Sequence, residues 1–253
     1  MGLVRRWFRT EGVMALERGW DDPTAAREWD AQGDEINPTR AEQLDILASV
    51  LAGRVRAGDW ILDLGAGSGK VESLLFERIP GIRVVGVDNS SAMLDLARAR
   101  LQPYGDRFLA VPGDVACLSR IALPTPNWRA VIAVQSLHHL AADEMRSVYG
   151  WVYAHLQPGG LFLLLDRLQV VSEATFWLMR SAWLRLDHLH GTAGASTEGA
   201  TFAEHRAALA EEGDQPQSLE THLEWLKSLG FEVVVLHLHG NRGLLAAAKQ
   251  LFV

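Results

Sequence analysis

Thiol chemistry is almost absent from this chain: Cys117 is the single cysteine in 253 residues. A lone cysteine excludes an intramolecular disulfide and any cysteine-rich zinc site, and it fits a reducing, cytoplasmic setting. Long apolar runs are also missing. No stretch approaches the ~18–20 residues that a membrane-spanning helix needs, so no membrane partner is expected. Positive charge is scarce, with 24 Lys and Arg against 31 Asp and Glu, a formal net charge of −7. Wrapping a phosphate backbone needs the opposite balance, which makes nucleic acid an unlikely partner while leaving room for a local basic patch. The segment Leu3-Val4-Arg5-Arg6-Trp7-Phe8-Arg9 carries the paired arginines of an export signal. Thr10-Glu11-Gly12 and the residues after it supply no apolar run, so export is not expected.

What is present is ordinary in bulk and unusual in one place. Apolar content of 48% and charged content of 22% are those of a folded globular protein. A chain of this length buries roughly 70–75% of its unfolded surface, enough for a three-layer α/β core. The unusual place is Ile61-Leu62-Asp63-Leu64-Gly65-Ala66-Gly67-Ser68-Gly69. A short apolar run ends in a turn with glycine at every second position, and Val71 to Glu77 then shows helical spacing. Strand, tight loop and helix in this order hold nucleotide-like ligands at the carboxyl ends of α/β sheets. Spacing decides which ligand. A phosphate-gripping loop reads G-x-x-x-x-G-K-[ST], whereas here Gly65 and Gly69 lie four apart and Lys70 is followed by Val71. A dinucleotide loop reads G-x-G-x-x-G, which requires glycine at 70 or 72; those positions hold Lys70 and Glu72.

Strand-like and helix-like segments alternate from about residue 59, the pattern of a mostly parallel sheet covered on both faces. Strands are expected at Trp60–Leu64, Arg83–Asp88, Arg107–Val111, Arg129–Val134, Leu161–Asp166, Glu232–His237 and Gly243–Ala248. Helices are expected at 70–79, 91–102, 141–156, 172–189, 202–212 and 218–229, preceded by an amphipathic helix over Thr39–Leu51. The chain reads as a single domain: an N-terminal helical cap at 1–38, a cofactor-binding core at 39–168, a helical insertion after strand five at 169–217, and a closing helix and hairpin at 218–253. The insertion is too long for an ordinary α/β connection, so it is expected to act as a lid, a binding element or an interface. Its stretch Gly191 to Gly199 reads as flexible.

The D-x-G-x-G-x-G loop after a strand closely resembles the first motif of class I S-adenosylmethionine-dependent methyltransferases. The resemblance extends to Val84-Val85-Gly86-Val87-Asp88, to Pro112-Gly113-Asp114-Val115 after the third strand, and to Leu156-Gln157-Pro158-Gly159-Gly160 before the fifth. It covers residues 40 to 168 well and the remainder in outline. It implies a Rossmann-like seven-stranded sheet with an antiparallel last strand, and S-adenosylmethionine as cofactor. Gly65, Ala66, Gly67 and Gly69 then form the cofactor loop, and Asp88 holds the ribose hydroxyls, a task suited to a carboxylate with two acceptor oxygens. Asn89 follows, and Met93 packs on the adenine. Gly113, Asp114 and the Val115 N–H address the adenine edge, although Asp114 is equally suited to capping a helix. Asp63 anchors the loop and is a candidate to reach the methionine amine. Arg40 is a candidate partner for the methionine carboxylate, a solvated helix charge being the other reading.

Methyl transfer is an in-line displacement at carbon, so the protein mainly aligns the partners and excludes water. The loop after strand four offers Gln135, Ser136, His138 and His139. Gln135 is counted with the cofactor residues, and His138 and His139 are the catalytic candidates, the choice between them open. A signature for exocyclic amine methylation, Asp/Asn/Ser-Pro-Pro-Tyr/Phe, is absent here. The pairs His188/His190 and His237/His239 lack a third ligand nearby in sequence, so no metal is expected. Trp7, Trp20, Trp29, Phe176, Trp177 and Trp183 either bury the cap and insertion or roof an apolar acceptor pocket; a homodimer interface would use the same residue types. The expected activity is methylation of a small, partly apolar molecule. The alternatives are an RNA-directed or cofactor-modifying member of the same fold, such as the tRNA wobble-uridine branch, or a non-catalytic cofactor-binding protein.

Overall fold

In the computed structural model the described residues are 21–192 and 194–251. The segment at 3–9 with its paired arginines and Trp7, and also Trp20, lie outside them. The elements run α1 (Pro23–Ile36), α2 (Arg40–Arg54), β1 (Trp60–Leu64), α3 (Lys70–Arg78), β2 (Arg83–Asp88), α4 (Ser91–Leu101), β3 (Phe108–Pro112), β4 (Trp128–Val134), α5 (Ala142–His155) and β5 (Leu156–Arg167). The insertion holds α6 (Phe176–His190), a single turn α7 (Gly194–Thr197) and α8 (Phe202–Glu212). The chain closes with α9 (Leu219–Ser228), β6 (Phe231–His239) and β7 (Arg242–Lys249).

The seven strands form one sheet in the order β3-β2-β1-β4-β5-β7-β6. The first five pair in parallel and β7 runs antiparallel to both β5 and β6. The central strands, WILDL in β1 and WRAVIAV in β4, are near-continuous apolar runs because both of their faces are covered. Successive residues serve opposite layers. Ile61 and Val84 pack with Leu47, Leu51, Val71 and Leu75 of α2 and α3, while Leu62 and Val85 pack with Met145, Tyr149 and Leu226 of α5 and α9. Each such leucine, fully withdrawn from water, contributes roughly 1.5–3 kcal/mol.

Most elements start or end within a few residues of the sequence expectation, and three differences bear on the connections. β5 begins at Leu156 rather than Leu161, because the Pro158-Gly159-Gly160 turn is taken up as a bulge between Trp128↔Leu156 and Ala130↔Leu161. The helix expected at 172–189 opens as a 3₁₀ turn at Glu173–Thr175, and α6 proper starts at Phe176. The glycine-rich segment after it is ordered by Asp187, whose carboxylate accepts from the N–H groups of Gly194 (2.7 Å) and Ala195 (2.8 Å) and so caps α7.

The strand order reverses direction between β1 and β4, which opens a crevice beyond their carboxyl ends. In open α/β sheets this is where ligands bind.

Candidate functional site

A cleft of about 230 Å³ occupies that crevice. Gly65, Ala66, Gly67, Asp88, Asn89, Met93, Asp114, Val115, Gln135 and Arg40 line it, together with Trp29, Asp30, Ser68, Lys70, Ser136 and His139. The glycine loop crosses over β2: Gly65 and Ala66 N–H both donate to the Val87 carbonyl, at 2.8 and 3.1 Å. Gly65 sits at φ +79°, and a Cβ there would lie 2.3 Å from the Ser136 Cβ, so no other residue fits. Asp88 ends β2 with one carboxylate oxygen accepting from Gly67 N–H (2.8 Å) and the other from Ser90 N–H (2.9 Å). An ionised carboxylate has about four acceptor sites. Acceptor capacity therefore remains on the cleft side. Burial pushes the Asp88 carboxyl up, against the lowering effect of the Ser90, Gly67 and Asn89 N–H groups.

Four of the expected cofactor or catalytic residues stand behind the cleft instead of lining it. Gly69 caps α3 at φ +80°, and Gly113 N–H donates to the Asp88 carbonyl (2.9 Å), holding the β2 and β3 ends together. Asp63 is 1% exposed and faces Glu72, which is fully buried. Burial and this mutual repulsion drive the Asp63 carboxyl well up, and burial lifts Glu72 to about 7. Asp63 thus lies buried among acidic neighbours and does not line the cleft. Asp114 lines the cleft and also caps the following 3₁₀ turn through Ala116 N–H (2.9 Å).

His138 is the fourth. Its Nδ1 is hydrogen-bonded to the Asp166 carboxylate, and it is nearly buried, whereas His139 faces the cleft. His139 Nδ1 lies 3.0 Å from Asp214 Oδ1. Burial pushes the His139 imidazolium down, but the Asp214 carboxylate outweighs it and the net shift is up. Gln135 occupies the left-handed region at φ +55°, strained for a residue with a side chain, and its buried Nε2 has no protein partner. Strain and an unmatched donor at the end of β4 mark a position shaped for a ligand.

Two sets of residues were not visible in the sequence. The first fastens the cap to the loop. Asp30 of α1 accepts from Ser68 Oγ and from Arg100 Nη2 (2.8 Å), and Lys70 Nζ donates to the Asp30 carbonyl (2.6 Å). The second joins the insertion to the core: Arg167, ending β5, bonds Glu198 Oε2 (2.8 Å), Asp214 Oδ2 (2.6 Å) and Glu212. An acidic and a basic residue closing an apolar strand, Asp166-Arg167, was the one available signal. The aromatic roof does not form as a group. Phe176 and Trp183 build a small core inside the insertion, Trp177 is 63% exposed on its outer side, and of the described aromatic candidates Trp29 alone lines the cleft.

A Rossmann-like sheet with a nucleoside-sized cleft over a glycine loop and a strand-end carboxylate defines a cofactor-binding α/β enzyme. A family model described as a methyltransferase domain matches residues 61–160. The chain is 32% identical over 201 residues to a carboxy-S-adenosyl-L-methionine synthase of Pseudomonas putida, covering 78% of each. Among solved structures it is similar to an O-methyltransferase family protein from Burkholderia thailandensis (TM-score 0.66, 17% identity, 92% of this chain and 62% of that one). It is also similar to magnesium protoporphyrin IX methyltransferase from Synechocystis with bound S-adenosylhomocysteine (TM-score 0.60, 16% identity, 86% of each). These structural likenesses establish the fold. The chain belongs to the class I S-adenosylmethionine-dependent methyltransferase family. It is an enzyme of that kind, with S-adenosylmethionine as its cofactor, and among its described residues no helix is long and apolar enough to cross a membrane.

Proposed function

We propose that the protein transfers the methyl group of S-adenosylmethionine to a small molecule seated between the sulfonium and His139. The observation that carries this reading is the continuity of one cleft from Asp88 and Asp114 to the β4 turn at Gln135, Ser136 and His139. In it Asp88 would hold the ribose, Met93 and Val115 the adenine, and the Gly65–Gly67 backbone the methionine portion. The bound cofactor supplies an activated methyl carbon. The residues of this chain orient the two partners, and Trp29 and the β4 turn screen them from water. His139, which lines the cleft where His138 does not, would touch the acceptor. The cleft lining carries Asp30, Asp88 and Asp114 against Arg40 and Lys70, a balance that suits a compact molecule better than an RNA strand.

Calorimetry with S-adenosylhomocysteine, NAD and ATP tests the cofactor half: S-adenosylhomocysteine should bind tightest, and a preference for NAD or ATP would overturn the site assignment. A second reading, synthesis of a carboxylated S-adenosylmethionine, is favoured by the names of the sequence relatives. Mass spectrometry of the ligand released from protein purified out of cells separates the two. Methyl transfer predicts S-adenosylmethionine or S-adenosylhomocysteine; a species heavier by one carboxylate would establish the second reading.

A further inference from the structure

The acceptor end of the cleft holds more than a pair of histidines. His138 Nε2 lies 3.6 Å from Asp214 Oδ2, and His139 Nδ1 lies 3.0 Å from Asp214 Oδ1. The ligand atoms of His138, His139 and Asp214 all fall within 4.8 Å of one another. Metal–ligand bonds of about 2.0–2.2 Å place neighbouring donor atoms roughly 3–3.5 Å apart. The His139–Asp214 separation falls in that range and the His138–Asp214 separation lies just outside it, close enough for one ion to draw the three donors together.

Three further observations point the same way. Asp166 bonds the other ring nitrogen of His138, which fixes the ring and leaves Nε2 directed at Asp214. A carboxylate behind a ligating imidazole is the usual second layer of a metal site. The main chain is held too, since Gln215 N–H donates to the His138 carbonyl at 2.6 Å. Finally, the surrounding charge is negative. Asp166, Glu198 and Asp214 are buried, Glu212 is half-exposed, and among the described residues the guanidiniums facing these four are those of Arg167 and Arg242. Arg167 occupies Asp214 Oδ2 and leaves Oδ1 on the histidine side.

We propose that His138 Nε2, His139 Nδ1 and the Asp214 carboxylate bind one divalent transition-metal ion at the acceptor end of the cofactor cleft, with Asp166 as the residue that positions His138. Two imidazoles and one carboxylate suit Zn²⁺, Co²⁺, Fe²⁺ or Mn²⁺ rather than Ca²⁺. Three protein ligands leave at least one coordination position open, and His139 places it on the cleft side. The site itself stands on geometry; its use rests on the methyl-transfer reading above. An acceptor with a hydroxyl beside a second oxygen would bind there, its hydroxyl acidified by the metal. The hydroxyl proton passes to solvent, the oxygen bonds to the methyl carbon, and the carbon–sulfur bond breaks with its electron pair retained on sulfur.

The test uses the full chain, stripped with a chelator and titrated with Co²⁺, read by visible absorption, and with Zn²⁺, read by calorimetry. One equivalent should bind with a spectrum of ligand-field bands. His139→Gln, at an exposed position and so compatible with folding, should abolish that equivalent, and Asp166→Asn should weaken it by about 10–100-fold. His237→Gln and His239→Gln, on β6 at the edge of the sheet, should leave it unchanged. No saturable uptake, or uptake equal in His139→Gln, would overturn the metal site and leave a His–Asp ion pair. S-adenosylhomocysteine affinity is measured on the same samples. Its loss in the wild type would refute the methyl-transfer reading without touching the metal titration.

Discussion

The cofactor cleft and the ionic cluster beneath the insertion are built in opposite ways. The floor of the cleft is built on backbone: Gly65 and Ala66 N–H groups bond the Val87 carbonyl, and the Asp88 carboxylate accepts from the Gly67 N–H 21 residues away. The cluster is side chain on side chain. Arg167 reaches Glu198, Glu212 and Asp214 across 31, 45 and 47 residues, and His205 Nδ1 adds a contact to the Glu198 carbonyl at 3.0 Å. A backbone cradle leaves its side chains available for ligand and contributes little to holding the fold together. A buried ionic cluster does the reverse: each member depends on the others to remain charged out of water.

The sharpest way to break this contrast is Arg167→Met. It would leave Glu198 and Asp214 buried without their main cation, and breaking a buried pair in this way costs about 3–5 kcal/mol. Denaturant unfolding should show that loss, while S-adenosylhomocysteine affinity measured well below the transition stays near the wild-type value. A variant as stable as the wild type would mean that the insertion is not fastened by Arg167. Asp88→Ala should behave oppositely. Losing a charge-assisted hydrogen bond to the ribose should weaken S-adenosylhomocysteine binding by roughly 1.5–3 kcal/mol. Its unfolding midpoint should move less than that of Arg167→Met, and unchanged affinity in calorimetry would remove the ribose assignment.

The same contrast explains what could be read from the sequence. The cleft was legible because its parts are local: glycine spacing at 65–69, Asp88 closing an apolar strand, and Gly113-Asp114 after the next strand each sit where a short stretch of chain determines the geometry. The sheet was legible for a similar reason, since fully covered strands such as WILDL and WRAVIAV declare their burial. The cluster was hidden. Asp214 lies in Glu211-Glu212-Gly213-Asp214, which reads as a solvated helix end, and nothing local says that it meets His139 from 75 positions away. Choosing between His138 and His139 needed Asp166 and the cleft wall as well. Asp30 was equally silent, an ordinary acidic residue on a polar helix until folding places it against Ser68 and Arg100.

Between the two regions sits a carboxyl pair that belongs to neither. Asp63 and Glu72 lie under the glycine loop with carboxyls raised by burial, Glu72 to about 7. A group whose folded-state value is raised favours the folded state most fully below its unfolded value, and that contribution is lost as pH climbs through the folded one. The window here runs from about 4.5 to about 7, and at ~1.4 kcal/mol per unit the loss is at most about 3.5 kcal/mol. Stability should therefore fall between about pH 4.5 and 7, and Glu72→Gln, which cannot ionise, should flatten the profile. A Glu72→Gln profile as steep as the wild type would place the titration elsewhere.

The smallest expected effect falls where the contrast is least pure, at the cap. Asp30 holds α1 to the cleft by side-chain ion pairs, as in the cluster, yet it does so near the surface, beside Arg100 and Lys70. Exposed pairs are worth about 0.2–1 kcal/mol and are screened by salt. Asp30→Asn keeps the shape and removes the charge, so the unfolding midpoint should barely move. What it should release is the placement of Trp29 over the cleft, weakening S-adenosylhomocysteine binding by no more than about 1 kcal/mol. The decisive measurement is salt dependence. Wild-type affinity should decline as ionic strength rises from low to physiological, and the variant should start lower and respond less. If both respond alike, α1 is held by its buried Ala25 and Ala26 face rather than by Asp30.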